Sequence, residues 1–272
     1  MAAEHNKVTI LGARGSIPVS GTQYAVYGGA TACVLLELEG KVILLDAGSG
    51  ILNVPQHILQ GNGQINIFLS HYHIDHILGL MMSPLMFDKN KEVIFYTADK
   101  EETILQALQE LMKRPLWPIG PEEFQAKIRY CGIGSMPYQL PDSGITVKAA
   151  AFSHPGGSFA YRFEWEDKSL VYATDCELYG EGELQMQEFA KDAGLLVLDA
   201  QYTREEYGKR AGFGHTYIEA AASVVAGSNA RVGLLFHHAP EHTDEQMAGF
   251  ERRLQQDFQR ARFAREGEMI QL

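Results

Sequence analysis

Apolar and polar positions along the chain follow two rhythms: short runs dominated by apolar residues, and longer stretches with apolar residues three or four apart. The short runs predict strands over residues 8–12, 33–38, 41–46, 65–69, 92–96, 127–130, 145–152, 158–164, 169–173, 195–198, 231–236 and 269–272. The longer stretches predict helices over 99–112, 182–192, 216–227 and 243–264. The last opens on a capping box, Gln246 standing three positions after Thr243. Glu39-Gly40 between two apolar runs predicts a tight hairpin. No internal repeat, low-complexity tract or linker-like segment breaks the alternation, so a layered α/β architecture is expected, as one large domain over 1–272 or two small ones.

Polar residues of metal-binding type gather where predicted strands stop. Asp46, His71, His154, Asp175 and His237 each lie at or just past the C-terminal end of an apolar run, where side chains collect along one sheet edge. The densest group is His71-Tyr72-His73-Ile74-Asp75-His76, with four candidate ligands in six positions. Imidazole and carboxylate donors suit zinc or a similar divalent ion. An extended loop would send His71 and His73 to one side, with Asp75 and His76 beyond a turn, which suggests two neighbouring ions rather than one. His154 precedes Pro155-Gly156-Gly157, a turn that lets backbone approach closely, and Asp175 ends the run 170–174. Three histidines compete after the run 232–236. His237 is best placed, while His238 and His242 read as outer or surface residues.

Composition narrows the function. A hydrophobic content of 46% is ample for a core, and no run approaches the length of a membrane span. The N-terminal stretch 1–7 lacks the apolar centre of a signal peptide, so a cytoplasmic protein without a membrane partner is expected. Cys33, Cys131 and Cys176 are odd in number and widely spaced, which fits packing residues better than disulfides or a cysteine zinc site. The net charge of −11, from 23 basic and 34 acidic side chains, counts against a long nucleic acid as partner. It leaves room for a short phosphate-bearing substrate held by metal ions.

The whole set, His-x-His-x-Asp-His followed by strand-end His154, Asp175 and His237, resembles the metallo-β-lactamase superfamily. The resemblance implies a four-layer αββα sandwich carrying two divalent metal ions, zinc or manganese, with iron a further candidate. Carried over by position, His71, His73 and His154 would hold one ion, Asp75, His76 and His237 the other, and Asp175 would bridge them. Asp46, in the Asp-x-Gly element Asp46-Ala47-Gly48, would support the ligands from behind. The openings 11–18 and 27–33, and Gly212-Phe213-Gly214-His215-Thr216, are similar to the ribonuclease Z and cyclic-phosphodiesterase branch, although the serine usual after the histidine is missing. Bacterial ribonuclease Z inserts a tRNA-gripping arm between the motif histidine and the bridging aspartate. Here His154 and Asp175 are 21 positions apart, room for a hairpin only. The sequence is closer to armless members acting on small or cyclic phosphodiesters, but it lacks the cysteine-containing zinc cluster of those from phosphonate metabolism.

The resemblance implies a hydrolase in which a hydroxide between the ions attacks phosphorus, with Asp75, Asp175 and His215 as catalytic residues and His215 as proton donor to the departing alkoxide. The alternative on the same fold is hydrolysis of a carboxylic ester, lactone or thioester, for which His215 would matter little. A homodimer is compatible with this branch. Arg14, Arg204, Lys209 and Arg210 either contact substrate or are solvent-exposed loop cations. Tyr202, Tyr207 and Phe213 either stack on a nucleobase or pack the loop. Met81, Met82, Met86 and Phe87 suit the buried side of a short helix, and Leu116-Trp117-Pro118 could line a pocket.

Overall fold

The computed structural model describes residues 6–272, so the first five residues of the stretch 1–7 lie outside the described residues. Two compact units divide the chain. The first comprises the described residues up to 12 together with 30–134 and 267–272, the second 13–29 and 135–266. Among the described residues there are fourteen strands and seven α-helices, apart from short 3₁₀ turns.

The first unit is built on β1 (Lys7–Gly12), β2 (Cys33–Leu38), β3 (Lys41–Leu45), β4 (Gln64–Phe68), β5 (Glu92–Thr97), β6 (Lys127–Gly132) and the final strand of the chain, β14 (Met269–Gln271). They form one sheet in the order β14-β1-β2-β3-β4-β5-β6. Pairing is antiparallel from β14 to β3 and parallel from β3 to β6. The expected hairpin joins β2 to β3, with Leu38 opposite Lys41. Glu39 and Gly40 both take left-handed φ, 50° and 73°, the conformation that lets a two-residue turn follow the twist of its strands. Helices α1 (Gln56–Gln60), α2 (Ile74–Ile77) and α3 (Glu101–Leu111) lie in the connections between parallel strands. Leu44, Ile67, Phe95, Ile104 and Leu108 are buried in one core, each worth about 1.5–3 kcal/mol relative to exposure.

The second unit repeats the plan with β7 (Tyr138–Gln139), β8 (Thr146–Phe152), β9 (Ser158–Trp165), β10 (Lys168–Ala173), β11 (Leu195–Asp199), β12 (Gly233–Phe236) and β13 (Ala261–Phe263). Its sheet runs in chain order from β13 back to β7, antiparallel up to β10 and parallel beyond. Central strands of a parallel sheet are covered on both faces and read as continuous apolar runs. Accordingly every residue of β11 and β12 is buried. Helices α4 (Glu181–Phe189), α5 (Arg204–Arg210), α6 (Ile218–Gly227) and α7 (Asp244–Asp257) complete the unit. The capping box of α7 is present: Thr243 N donates to Gln246 Oε1 at 2.9 Å and Thr243 Oγ1 accepts from Gln246 N at 3.4 Å.

Two expectations are corrected. The helix predicted over 243–264 ends at Asp257, and Ala261–Phe263 instead pair in parallel with β12. Met81 ends a short 3₁₀ helix (Leu78–Met81), and 82–87 form turns rather than a helix, with Met86 buried and Met82 63% exposed. Among the described residues no helix is long and apolar enough to cross a membrane.

Candidate metal centre

In the first unit the backbone does the first part of the work. Asp46 follows β3 directly and takes a left-handed φ of 59°, a state that costs a non-glycine residue roughly 1–3 kcal/mol and persists where the surroundings enforce it. Its carboxylate is buried and accepts from Ser70 N at 2.7 Å, Ser70 Oγ at 2.8 Å and His76 Nδ1 at 2.8 Å. A carboxylate can only accept, so His76 carries its proton on Nδ1 and presents Nε2 as the lone-pair nitrogen. Ser70 has one hydroxyl proton, and it goes to Asp46. Ser70 Oγ must therefore accept from His71 Nδ1, 3.1 Å away, which makes Nε2 the lone-pair atom of His71 as well. One buried carboxylate thus sets the tautomer of two imidazoles.

The loop after β4 runs into α2, whose N-cap is His73 and whose first turn carries Asp75. That helix start is the turn expected after His73, and it gathers all four ligand-type residues. The His71 ring lies 4.5 Å from that of His73 and 4.2 Å from that of His76, centroid to centroid. His76 Nε2 stands 3.3 Å from Asp75 Oδ2. His73 is exposed and the other three are buried. Imidazoles and a carboxylate, with two of the nitrogens fixed as lone pairs, are the donor types that hold divalent cations.

The second unit supplies a matching group. His237 follows β12 directly with φ 63°, and Asp175 lies two residues past β10 with φ 52°, so three strand-end site residues share the left-handed state. Asp175 turns one oxygen to each of two histidines: His237 Nε2 is 3.1 Å from Oδ1 and His154 Nε2 is 3.6 Å from Oδ2. Thr174 Oγ1 donates to Oδ1 at 2.7 Å. His154 Nδ1 donates to the Gly214 carbonyl at 2.9 Å, again leaving Nε2 as the lone pair. A Cβ on Gly214 would sit 2.3 Å from His154 Nδ1, and its φ of 91° is left-handed, so only glycine permits this contact.

His215 stacks on His237, with ring centroids 4.9 Å apart, and its Nδ1 donates to Asp199 Oδ2 at 2.8 Å. Asp199 also accepts from Cys176 N at 3.2 Å and Gln201 N at 3.1 Å. Ligand-type atoms of Asp175, Asp199, His215 and His237 all lie within 4.8 Å of one another. Sequence reasoning missed Asp199, although 195–199 shows the same signal as the others, an apolar run ending on a carboxylate. The buried Cys176 thiol is pushed well up by burial and then by Asp199 and Asp175, so it stays protonated beside this group.

The remaining candidates separate. Arg14 neither faces a pocket nor solvent: it is fully buried and donates to Gly28 O at 2.6 and 3.1 Å, Ala239 O at 3.0 Å and His242 O at 3.0 Å. Arg210 pairs with Glu241 at 2.7 Å over the Tyr202 ring, Arg204 covers Tyr217, and Lys209 pairs with Glu205 at 3.3 Å. Tyr202 packs edge-on to His215 with its hydroxyl pushed up to about 12, chiefly by burial, while Phe213 is 61% exposed. His238 and His242 are buried rather than on the surface, bonded to Ala264 O at 2.8 Å and Glu206 Oε1 at 2.9 Å. Burial, with Arg14 nearby, lowers His238 to about 3, which keeps it neutral.

Known proteins resemble this chain over most of its length. A family model described as the β-lactamase superfamily domain matches residues 41–238. The probable metallo-hydrolase YhfI of Bacillus subtilis is 26% identical over 86% of this chain and 87% of its own length. The YhfI crystal structure aligns with a TM-score of 0.72 at 19% identity, covering 97% of this chain and 98% of that one. A ribonuclease Z of Nitrosopumilus maritimus is 22% identical over 79% of this chain and 85% of its length. The crystal structure of a diphosphatase from the PhnP family aligns with a TM-score of 0.70 at 20% identity, covering 98% and 96% of the two chains. The fold class is the expected α/β sandwich of the metallo-β-lactamase type.

Proposed function

The chain belongs to the metal-dependent hydrolases of the β-lactamase superfamily, and on that premise we propose that it is a phosphodiesterase acting on a small or cyclic phosphodiester. In this reading His71, His73 and His154 would hold one divalent ion and Asp75, His76 and His237 a second, with Asp175 available as a ligand to either. Zinc and manganese both suit such a donor set. When bound, the ions supply Lewis acidity, which brings the pKa of a water near neutrality and offsets charge on phosphoryl oxygens.

The chain's own residues do the rest. Asp46 and Gly214 O fix the Nε2 lone pairs of His71, His76 and His154, so these ligands need no reorientation on binding. With Nδ1 held by Asp199, His215 offers Nε2 as the proton-transfer atom, and the buried carboxylate stabilises the ring while it is protonated. That pair is the observation that carries the reading, because a poor alkoxide leaving group needs a proton and a carboxylic ester has less need of one. The names of two relatives, a ribonuclease Z and a PhnP-family diphosphatase, point to phosphate chemistry. Charge and connection length support a small substrate: the chain carries a net −11, and the segment from His154 to Asp175 is taken up by the β9–β10 hairpin.

The test is hydrolysis of bis(p-nitrophenyl) phosphate and of a p-nitrophenyl carboxylic ester by metal-loaded protein. Diesterase turnover abolished by EDTA is expected. Esterase turnover alone would overturn the reading in favour of ester, lactone or thioester chemistry.

A further inference from the structure

We infer that Glu177 is a positioning residue for this reaction, holding His154 from both sides and fixing the loop that carries His215. The inference rests on the ligand role proposed for His154. The backbone of Glu177 supplies one side: its N–H donates to Ser153 O at 2.8 Å, immediately before His154. Its carboxylate supplies the other. Oε1 accepts from Gly212 N at 2.8 Å and Oε2 from Gly214 N at 3.1 Å, and the Gly214 carbonyl then accepts from His154 Nδ1 at 2.9 Å. The hydrogen bonds close a circuit, Glu177 to Ser153 to His154 to Gly214 and back to Glu177. His215 is the next residue in the chain.

A carboxylate is a stronger device than closing a loop requires. Gly212 and Gly214 sit at left-handed φ of 88° and 91°, and water could satisfy their N–H groups in a merely structural turn. A charged acceptor instead holds both amides at once and shortens the range of positions open to the Gly214 carbonyl. That carbonyl decides which nitrogen of His154 carries the proton. Tyr207 Oη steadies the carboxylate by donating to Oε1 at 2.9 Å. Its hydroxyl is pushed up to about 12, by burial and then by Glu177 itself, so it remains a donor through ordinary pH.

The test uses the full-length chain and the variants Glu177→Gln and Glu177→Ala. Glu177→Gln is decisive even if Glu177→Ala fails to fold, because it keeps the size of the side chain while turning one acceptor oxygen into a donor that must face an N–H or O–H. Three readouts are taken: the His154 tautomer in metal-free protein by nitrogen-15 NMR, zinc affinity by competition with a chromophoric chelator, and kcat with KM. We expect Glu177→Gln to lose the Nδ1–H preference of His154, to bind zinc about 10–100-fold more weakly and to lose kcat by the same order with KM little changed. A wild-type tautomer and wild-type zinc affinity in that variant would overturn the inference. If wild-type protein turned over no phosphodiester, the proposed reaction would fall, and tautomer and affinity would still decide on Glu177.

Discussion

Replacing Asp46 with asparagine isolates the charge of a single buried carboxylate. Asparagine has the same shape and tolerates the left-handed φ of 59° at least as well, so backbone strain cannot account for any loss. The carboxylate accepts three hydrogen bonds of 2.7–2.8 Å, each of a kind worth about 1.5–3 kcal/mol when the acceptor is charged. An amide can keep the bond from Ser70 N through its oxygen, but its NH₂ must then face Ser70 Oγ and His76 Nδ1. The two lost bonds share one oxygen and are not independent, so the expected cost to metal-free protein is about 2–4 kcal/mol rather than their full sum. That is a large part of the roughly 5–15 kcal/mol that stabilises a typical domain. Urea unfolding of EDTA-treated wild type and D46N, followed by circular dichroism, measures the difference. Loss of the buried ion could instead relieve desolvation and stabilise the chain. A D46N variant equal to or more stable than wild type would refute the account of the site's first half.

Asp199→Asn should lower kcat on alkyl phosphodiesters by about 10²–10⁴-fold at similar KM, since His215 loses the partner that sets its proton position; steady-state kinetics decide it. Arg14→Lys should lower the unfolding temperature and leave KM unchanged, because one ammonium cannot reach the carbonyls of Gly28, Ala239 and His242; a raised KM would instead make Arg14 a substrate contact. Glu206→Ala should cost about 1–2 kcal/mol at pH 7 by removing the α5 capping box. Although burial alone would raise it, the Glu206 carboxyl is held below its ordinary value by His242 and Thr203. Its contribution is therefore present above the unfolded-state value and lost as pH falls through the lowered one, so the gap between wild type and variant should close in acid. Stripping with EDTA should lower the unfolding temperature, and added zinc should restore it with a dependence on metal concentration.

The architecture was largely legible because strand ends carry the chemistry. Asp46, Asp175 and His237 were visible as polar residues terminating apolar runs, and the strands before them lie where the pattern placed them within one or two residues. The helix predicted over 243–264 overshoots for a physical reason: Ala261–Phe263 become a strand only by pairing with β12, and three residues carry no period of their own. Helix α5 was missed because it buries no residue, yet Thr203 and Glu206 already spelled its capping box. The burial of Arg14 is not legible locally, because a buried arginine is unexpected in a glycine-rich loop and the three carbonyls that receive it lie 14 or more positions away. Asp199 and Glu177 act through hydrogen bonds to residues 16 and 35–37 positions away, which no local pattern encodes.

The most direct test of the central claim compares two phosphodiesters that differ only in leaving group, one p-nitrophenolate and one alkoxide, in wild type and His215→Ala with metal supplied. Nitrophenolate departs as the anion and needs no proton, whereas an alkoxide does. The account predicts a loss of about 10²–10⁴-fold in kcat/KM on the alkyl diester and less than about tenfold on the nitrophenyl one. Equal losses on both substrates, or none on either, would contradict it.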